Sequence, residues 1–514
     1  MVTDGNGVGY LYETYGTRAN ALGCDNAAGA SGPTSACRVG LRGGVDVELG
    51  GTLNAFALDA LADGNITEAD IDAALMRTLP MIFRLGKVDP PAMVPFAALG
   101  PRDVDTPAHR QLALEAAHQA VILLRNNASA ATGAPLLPLS LASLAAKGIA
   151  VIGFSANDSQ VQLANYHGPS PLADAHTPLL ALQRAAAAAP GGPVSVRFAV
   201  GCVDGAPCTD SSGFAAAAAA AQGAGVALVF CGLAPSNGGG AVPGKSEGEE
   251  LDRVNVTLPG LQEELIAAVL ATGTPVVLIV VRGGAVALSD ALFRDTARAP
   301  AIVHFPYGGE LAGDALVDVL LGAVSPSGRL STTQYDATIN ERSIVDYDFT
   351  SMDGITYQYY TKEPQFEFGQ CESYTVFELS WLSAAGSAVT VDAAAVAAGE
   401  AAPSYAVNVT NTGAVTSDVS VLAFIEGSGE PAAPLRQLFD FNRAAKVAPG
   451  QTVTLLFTVP LDVAASVRPD GSTALRAGRR SRAVRIGFPR QQMLEGSLEV
   501  VGGARDIELS PALP

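Results

Sequence analysis

Four short runs of apolar residues, with no polar alternation, constrain the middle of this chain. They are Ile149-Ala150-Val151-Ile152, Val226 to Phe230, Val276 to Val281 and Ala301 to Phe305. A strand with one wet face alternates apolar and polar side chains, so unbroken runs of this length suit strands buried on both faces of a mostly parallel sheet. Helical stretches lie between them, which predicts an α/β/α sandwich over residues 109–335. The helix expected between Phe214 and Gln222 is nearly all alanine and reads as packing against that sheet.

The period changes on either side. From Ser383 onward it becomes two: Tyr405, Val407 and Val409 face one way, Asn408 and Thr410 the other. Val453, Leu455, Phe457 and Val459 repeat the pattern, as do Val484, Ile486 and Phe488. Turn signals at Asn411-Thr412-Gly413, Pro449-Gly450 and Pro469-Asp470-Gly471 separate the runs, so residues 383–503 read as an antiparallel, immunoglobulin-like β-sandwich. Residues 336–382 connect the two domains and 504–514 form a tail. At the other end, residues 1–87 hold two short strands, around Met1 to Asp4 and Gly44 to Leu49. A helix then starts at Thr67 with Asp70 three residues on. Its apolar stripe is Ile71, Leu75, Leu79 and Ile82, and Pro80 is expected to kink it. Five prolines between Val88 and Pro107 mark residues 88–108 as an extended linker.

A chain of 514 residues holds two to four domains. Its net charge of −19 argues against a nucleic-acid partner, since phosphate binding needs clustered Lys and Arg. No segment reads as a membrane span, because Pro275 to Val281 is far shorter than the ~20 residues a spanning helix needs. No signal peptide is visible, since the chain opens directly on Val2-Thr3-Asp4-Gly5. Six cysteines include two close pairs, Cys24 with Cys37 and Cys202 with Cys208, read as local disulfides with free thiols as the alternative. Cys231, inside a strand, reads as a buried core thiol. Sequons at Asn65, Asn127, Asn157, Asn255 and Asn408 fit a secretory route.

Two acidic sites could carry chemistry. Asp4 ends a short strand and precedes Gly5-Asn6-Gly7, where either an ordinary turn Asp or a catalytic carboxylate would sit. Ser246-Glu247-Gly248-Glu249-Glu250-Leu251-Asp252-Arg253 follows the glycine-rich Ser236-Asn237-Gly238-Gly239-Gly240. It reads either as a solvated acidic loop or as a general acid, since crowded carboxylates favour keeping a proton on one of them. Gly5-Asn6-Gly7 and Arg282-Gly283-Gly284 lack the spacing of a dinucleotide fingerprint, and no Gly-x-Ser-x-Gly elbow is present.

The order of these features resembles glycoside hydrolase family 3, in its plant and fungal β-xylosidase branch. Val2-Thr3-Asp4, followed by Val8 and Leu11-Tyr12, looks like the family's nucleophile strand. Leu99-Gly100-Pro101-Arg102-Asp103-Val104, Ala113-Leu114-Glu115-Ala116-Ala117 and Gly201-Cys202 with Cys208 are similar to later segments. Glu249-Glu250-Leu251-Asp252-Arg253 with Leu258-Pro259-Gly260-Leu261-Gln262 resembles the acid/base loop. Tyr307-Gly308-Gly309-Glu310, Ser325-Pro326-Ser327-Gly328-Arg329-Leu330 and Phe368-Gly369 with Ser373-Tyr374-Thr375 match motifs beyond it.

That resemblance implies a (β/α)8-type barrel whose C-terminal remnant is residues 1–87, an α/β/α sandwich, and a fibronectin-III-like C-terminal domain. It implies a secreted, retaining exo-glycosidase with Asp4 as nucleophile and Glu249 as acid/base, Glu247 being the alternative. No cofactor or metal is needed. The expected partners are oligosaccharides or plant or algal cell-wall fragments, with neither nucleic acid nor membrane. Among substrates, β-D-xylosides lead, followed by α-L-arabinofuranosides and β-glucosides. The family's sugar-holding Asp, Arg and Lys-His residues belong to barrel units that would precede Asp4, so this chain alone is expected to be nearly inactive. A truncated, non-catalytic carbohydrate-binding or scaffold protein is the other reading.

Overall fold

A computed structural model describes residues 1–13, 32–129, 133–236, 243–249, 251–392, 402–427, 429, 433–460, 463, 465–467, 472–475, 480–501 and 507–510. The chain forms two compact units, Met1–Thr106 and Pro107–Pro514. Among the described residues no helix is long and apolar enough to cross a membrane.

In the first unit β1 (Val2–Gly5) pairs parallel with β2 (Val47–Leu49). Helices Pro33–Arg42, Thr52–Ala62 and Glu68–Arg84 accompany the pair. The last is capped as its sequence predicts. Thr67 Oγ1 accepts from the Asp70 amide at 3.3 Å, and an Asp70 oxygen accepts from the Thr67 amide at 2.8 Å. The Arg42 guanidinium, bonded to the Asp70 carboxylate, and the Thr67 hydrogen bonds hold Asp70 down at about 2. The helix runs on through Pro80 to Arg84. Its stripe is poorly covered: Leu75 is 44% and Leu79 42% exposed, and Ala74 is the buried residue. A two-stranded sheet offers too little surface to cover it, and the apolar clusters of this unit are small. The proline-rich stretch that follows is not extended. Pro91, Pro95 and Pro101 each open a 3-10 turn, because a fixed φ and a missing N–H suit a first helical position.

The second unit begins with a six-stranded sheet. Its strands are β3 (Ile122–Asn126), β4 (Ile149–Ile152), β5 (Val196–Ala199), β6 (Val226–Gly232), β7 (Val276–Val281) and β8 (Ala301–Phe305), in the order β3-β8-β7-β6-β4-β5. All neighbours run parallel except β3, which pairs antiparallel with β8 at one edge. The four apolar runs are its inner strands. Val277 and Ile279 of β7 pack with Leu179, Leu182, Leu316 and Leu320 of the helices on one face. Val276, Leu278 and Val280 pack with Ala217, Ala221, Ile266 and Val269 on the other. The alanine helix Phe214–Ala221 sits there because Ala217 and Ala221 leave room for close approach.

The C-terminal part is a sandwich. One sheet has β14 (Thr452–Thr458), β11 (Ser404–Asn411) and β9 (Phe377–Trp381). The other runs β10 (Ala388–Asp392), β18 (Met493–Val501), β17 (Arg480–Gly487), β12 (Ser417–Glu426) and β13 (Arg436–Val447). Tyr405, Val407, Phe457, Val484 and Ile486 close the shared core. Three expectations change. The sandwich is not wholly antiparallel, because β10 pairs parallel with β18. Chain from the other sheet precedes and follows β10, so no hairpin fixes its direction. β9 lies inside the segment expected to be a connection and pairs with β11. Part of the expected tail, β19 (Ile507–Ser510), pairs with β16 (Thr473–Leu475), which also pairs with β15 (Ser466–Val467).

Cys202 and Cys208 form the expected disulfide. Cys37 does not form its own. It is a buried free thiol facing the Thr52 carbonyl at 3.9 Å, and Cys24 lies outside the described residues. Burial and the Glu48 carboxylate both push the Cys37 thiol's pKa up, which disfavours the thiolate that disulfide exchange needs. Cys231 and Cys371 are buried free thiols.

Ile279 lies fully buried at the centre of this sheet. Ile279→Ala is expected to destabilise the second unit by about 2–5 kcal/mol. Urea unfolding followed by circular dichroism checks this; a loss under about 1 kcal/mol would mean the sheet is not the core.

Candidate active site

An open parallel sheet buried on both faces can present polar groups only beyond its strand ends. From β4 the chain crosses to β5 on one side and then to β6 on the other, so the order reverses between β4 and β6. Ligand sites of such sheets form beyond the carboxyl ends at that reversal. The acidic segment lies on the loop that follows β6. The end of β6 is pinned by Gln262, whose Oε1 accepts from the Gly232 amide at 2.7 Å while Nε2 donates to the Gly232 and Ala206 carbonyls at 2.8 and 2.7 Å.

Backbone pairing then fixes the loop's return. The Ser246 and Glu247 amides donate to the Ala234 carbonyl at 2.9 and 3.3 Å, and the Ser236 amide to the Glu247 carbonyl at 2.6 Å. The Ser246 hydroxyl accepts from the Ala234 amide at 3.0 Å. Lys245 sits 3.6 Å from Asp158, which caps a helical turn beyond β4. Gly248 and Leu251 bridge, and Glu249 is exposed on the turn between them. Asn237 to Gly240 and Glu250 lie outside the described residues.

Glu247 and Glu249 therefore differ in surroundings. Glu247 Oε1 accepts from the Tyr307 hydroxyl at 2.6 Å and Oε2 from Arg253 Nε at 3.2 Å. Arg253 also donates to the Asn255 and Ala285 carbonyls at 3.3 and 2.8 Å. Burial, then the Glu247 charge and its hydrogen bond, push the Tyr307 phenol up, so it stays a donor. Behind this pair Arg282 is buried, with Nη1 bonded to Gln334 Oε1 and Nη2 enclosed without a partner. Burial, and then the Arg253 charge, lower Arg282 to about 10; Glu247 opposes them.

His304 keeps a sliver of surface, but its Nδ1 is enclosed and unpartnered while Nε2 faces the Arg282 carbonyl at 3.3 Å. Burial, then Arg282, lower it to about 3.

Asp4 belongs to the first unit. It is exposed at the end of β1, with Oδ1 accepting from the Gly5 amide at 2.7 Å. Beside it on β2, Glu48 Oε2 accepts from the Leu53 amide at 2.7 Å, and Oε1 is buried without a partner. Of the sequons, Asn127, Asn157 and Asn255 are exposed; Asn65 and Asn408 are half-buried. Asn255 already accepts from Thr257 and Asn340. Sequence reasoning missed the parts played by Arg282, His304, Tyr307 and Gln334. A usable signal was present, since Arg282-Gly283-Gly284 and Pro306-Tyr307-Gly308-Gly309 each follow an apolar strand directly.

Residues 121–374 match the glycosyl hydrolase family 3 C-terminal domain. The chain belongs to glycoside hydrolase family 3. A probable exo-1,4-β-xylosidase of Aspergillus terreus is 31% identical over 470 residues, covering 88% of this chain and 55% of that protein. β-D-Xylosidase 1 of Arabidopsis thaliana is 35% identical over 353 residues, 68% of this chain and 42% of the relative. A solved family 3 exo-β-xylosidase, in complex with a xylobiose aziridine activity-based probe, superposes with a TM-score of 0.83 at 25% identity, over 99% of this chain and 62% of that one. The chain thus spans 55% and 42% of the lengths of these two curated relatives.

Folding leaves His304 neutral at pH values where the unfolded chain would bind a proton. Its contribution to stability is present above the unfolded value near 6.5 and falls as pH drops toward about 3. His304→Asn is expected to flatten the acid side of the stability curve by up to about 1.4 kcal/mol per pH unit. Urea midpoints at pH 7, 5.5 and 4.5 test it, and identical slopes in both proteins would refute it.

Proposed function

We propose that this chain supplies the nucleophile and the acid/base of a retaining exo-β-D-xylosidase acting on xylo-oligosaccharides. One observation carries the reading. Glu249 stands exposed on a turn built from the carboxyl end of β6, at the reversal of the sheet, in a chain similar along 88% of its length to a probable exo-1,4-β-xylosidase. In this reading residues 1–87 are the last part of a (β/α)8-type barrel and residues 377–501 a fibronectin-III-like domain. The parallel pair β1–β2 with its helices, and the two-sheet sandwich, are the features that favour these two readings.

The chemistry follows from two carboxylates. Asp4 attacks the anomeric carbon as the bond to the leaving oxygen breaks, and Glu249 gives its proton to that oxygen. Water then attacks the glycosyl-enzyme ester, Glu249 takes its proton, and Asp4 leaves as carboxylate. Both steps invert C1, so configuration is retained. Exposure lets Glu249 exchange its proton with water between turnovers. A disulfide at Cys202–Cys208 and exposed Asn127, Asn157 and Asn255 support an extracellular, glycosylated product. The substrates are neutral, which suits a surface of net charge −19 better than a polyanion would.

Expressed at the length of its relatives, the protein is expected to hydrolyse 4-nitrophenyl β-D-xyloside faster than the arabinofuranoside or the glucoside. The 514-residue chain alone should be nearly inert, since positioning of the sugar supplies much of the rate. Asp4→Asn should abolish turnover, and Glu249→Gln should slow xylobiose hydrolysis about 10²–10⁴-fold. Full activity in Asp4→Asn would sink the nucleophile assignment. A relative-length protein that binds xylo-oligosaccharides without cleaving them would favour the non-catalytic reading instead.

A further inference from the structure

The geometry points to Glu247 as a positioning residue: with Tyr307 and Arg253 it forms a clamp that fixes the turn carrying Glu249, and it is not itself the proton donor. The inference rests on reading Glu249 as the acid/base, and it assigns distinct tasks to two carboxylates that the sequence leaves interchangeable.

Three observations carry it. First, both oxygens of Glu247 are engaged as acceptors, one by the Tyr307 hydroxyl and one by Arg253. Both atoms through which it would hand over a proton are thus already committed to fixed neighbours. Glu249, two residues on, faces solvent.

Second, the main chain of Glu247 is the point where the returning loop is bonded to the end of β6, through Ala234 and Ser236. Side chain and backbone of the same residue therefore tie the loop to two strand ends that flank β7: β6 through Ala234 and Ser236, and β8 through Tyr307. Arg253 adds the segment after β7 through the Ala285 carbonyl. The turn from Gly248 to Leu251 hangs from this knot, so the position of Glu249 follows from that of Glu247.

Third, the space for the clamp is shaped by two glycines. A Cβ on Gly283 would lie 2.6 Å from the Tyr307 ring and 3.4 Å from Glu247 Oε1. A Cβ on Gly284 would lie 2.8 Å from Arg253 Nη2 and 3.3 Å from Glu247 Oε2. Any side chain there would push the phenol or the guanidinium off the carboxylate.

The charges around Glu247 point the same way. Its carboxylate faces the Arg253 cation and, further off, the buried Arg282 cation, with His304 neutral behind them. Replacing it by an uncharged side chain removes the carboxylate that opposes these two cations among the described residues, which loosens the loop without touching the reacting atoms.

The test separates the two roles. In the 514-residue chain, hydrogen exchange of the 243–249 amides is measured for the wild type, Glu247→Gln, Tyr307→Phe and Glu249→Gln. The clamp predicts exchange at least about tenfold faster in the first two variants and unchanged in the third, with the core strands still protected. Gly283→Ala should reproduce the effect without altering any hydrogen-bonding group. In the relative-length enzyme with an activated aryl xyloside, azide should restore turnover to Glu249→Gln by attacking C1 of the glycosyl-enzyme and releasing Asp4. It should not restore Glu247→Gln, whose kcat falls roughly 10–100-fold as the acid drifts from the leaving oxygen. Azide rescue of Glu247→Gln instead, or unchanged exchange in both clamp variants, overturns the proposal. Loosened exchange together with full hydrolysis in Glu249→Gln leaves the clamp standing and removes the acid/base assignment.

Discussion

Burial of β6, β7 and β8 on both faces is the constraint from which the rest of the second unit follows. With helices above and below, most side chains along these strands meet apolar neighbours, and an unpaired charge there would cost several kcal/mol. Polar residues are thereby pushed to the carboxyl ends, where Gln262, Arg282 and Tyr307 are found. Each is held by main-chain or side-chain partners. Precision at the acidic turn is inherited from the sheet, since its anchors lie just beyond the ends of buried strands.

The same constraint explains why much of the fold could be read from the sequence. Ile149 to Ile152 and Val276 to Val281 carry an unbroken apolar pattern because neither face reaches water, and that pattern is visible without coordinates. Thr67 and Asp70 announce their helix because a cap is a local device. The period of two in Tyr405, Val407 and Val409 likewise depends on near neighbours. Edge strands are harder to read. Val196-Arg197-Phe198-Ala199 is half wet and too short to show its period, and Phe377-Glu378-Leu379-Ser380-Trp381 alternates over only five residues. The direction of β10 depends on β18, more than a hundred residues away, which no local pattern encodes.

The site shows the same division. That an acidic loop follows β6 was legible. Which of its carboxylates stands free was not, because the answer lies in Tyr307, sixty residues further along the chain. Composition also misled at Cys37. A cysteine thirteen positions from another invites a bridge, yet the helix Pro33–Arg42 turns the Cys37 thiol inward against the backbone of a neighbouring helix. The stripe of the helix Glu68–Arg84 shows the converse limit: a period of 3.6 reveals which face is apolar, not how much of it will be covered.

The Cys202–Cys208 bridge bears on how the chain matures. Six residues separate the two sulfurs, a span whose ends meet often even in an unstructured polypeptide. Cys231 and Cys371 are far from each other in sequence and end up enclosed among strands and side chains. An oxidant arriving early would therefore favour the short loop over a Cys231–Cys371 bridge, and one arriving late would find those two thiols out of reach. Correct pairing of Cys202 and Cys208 then needs little editing by an isomerase.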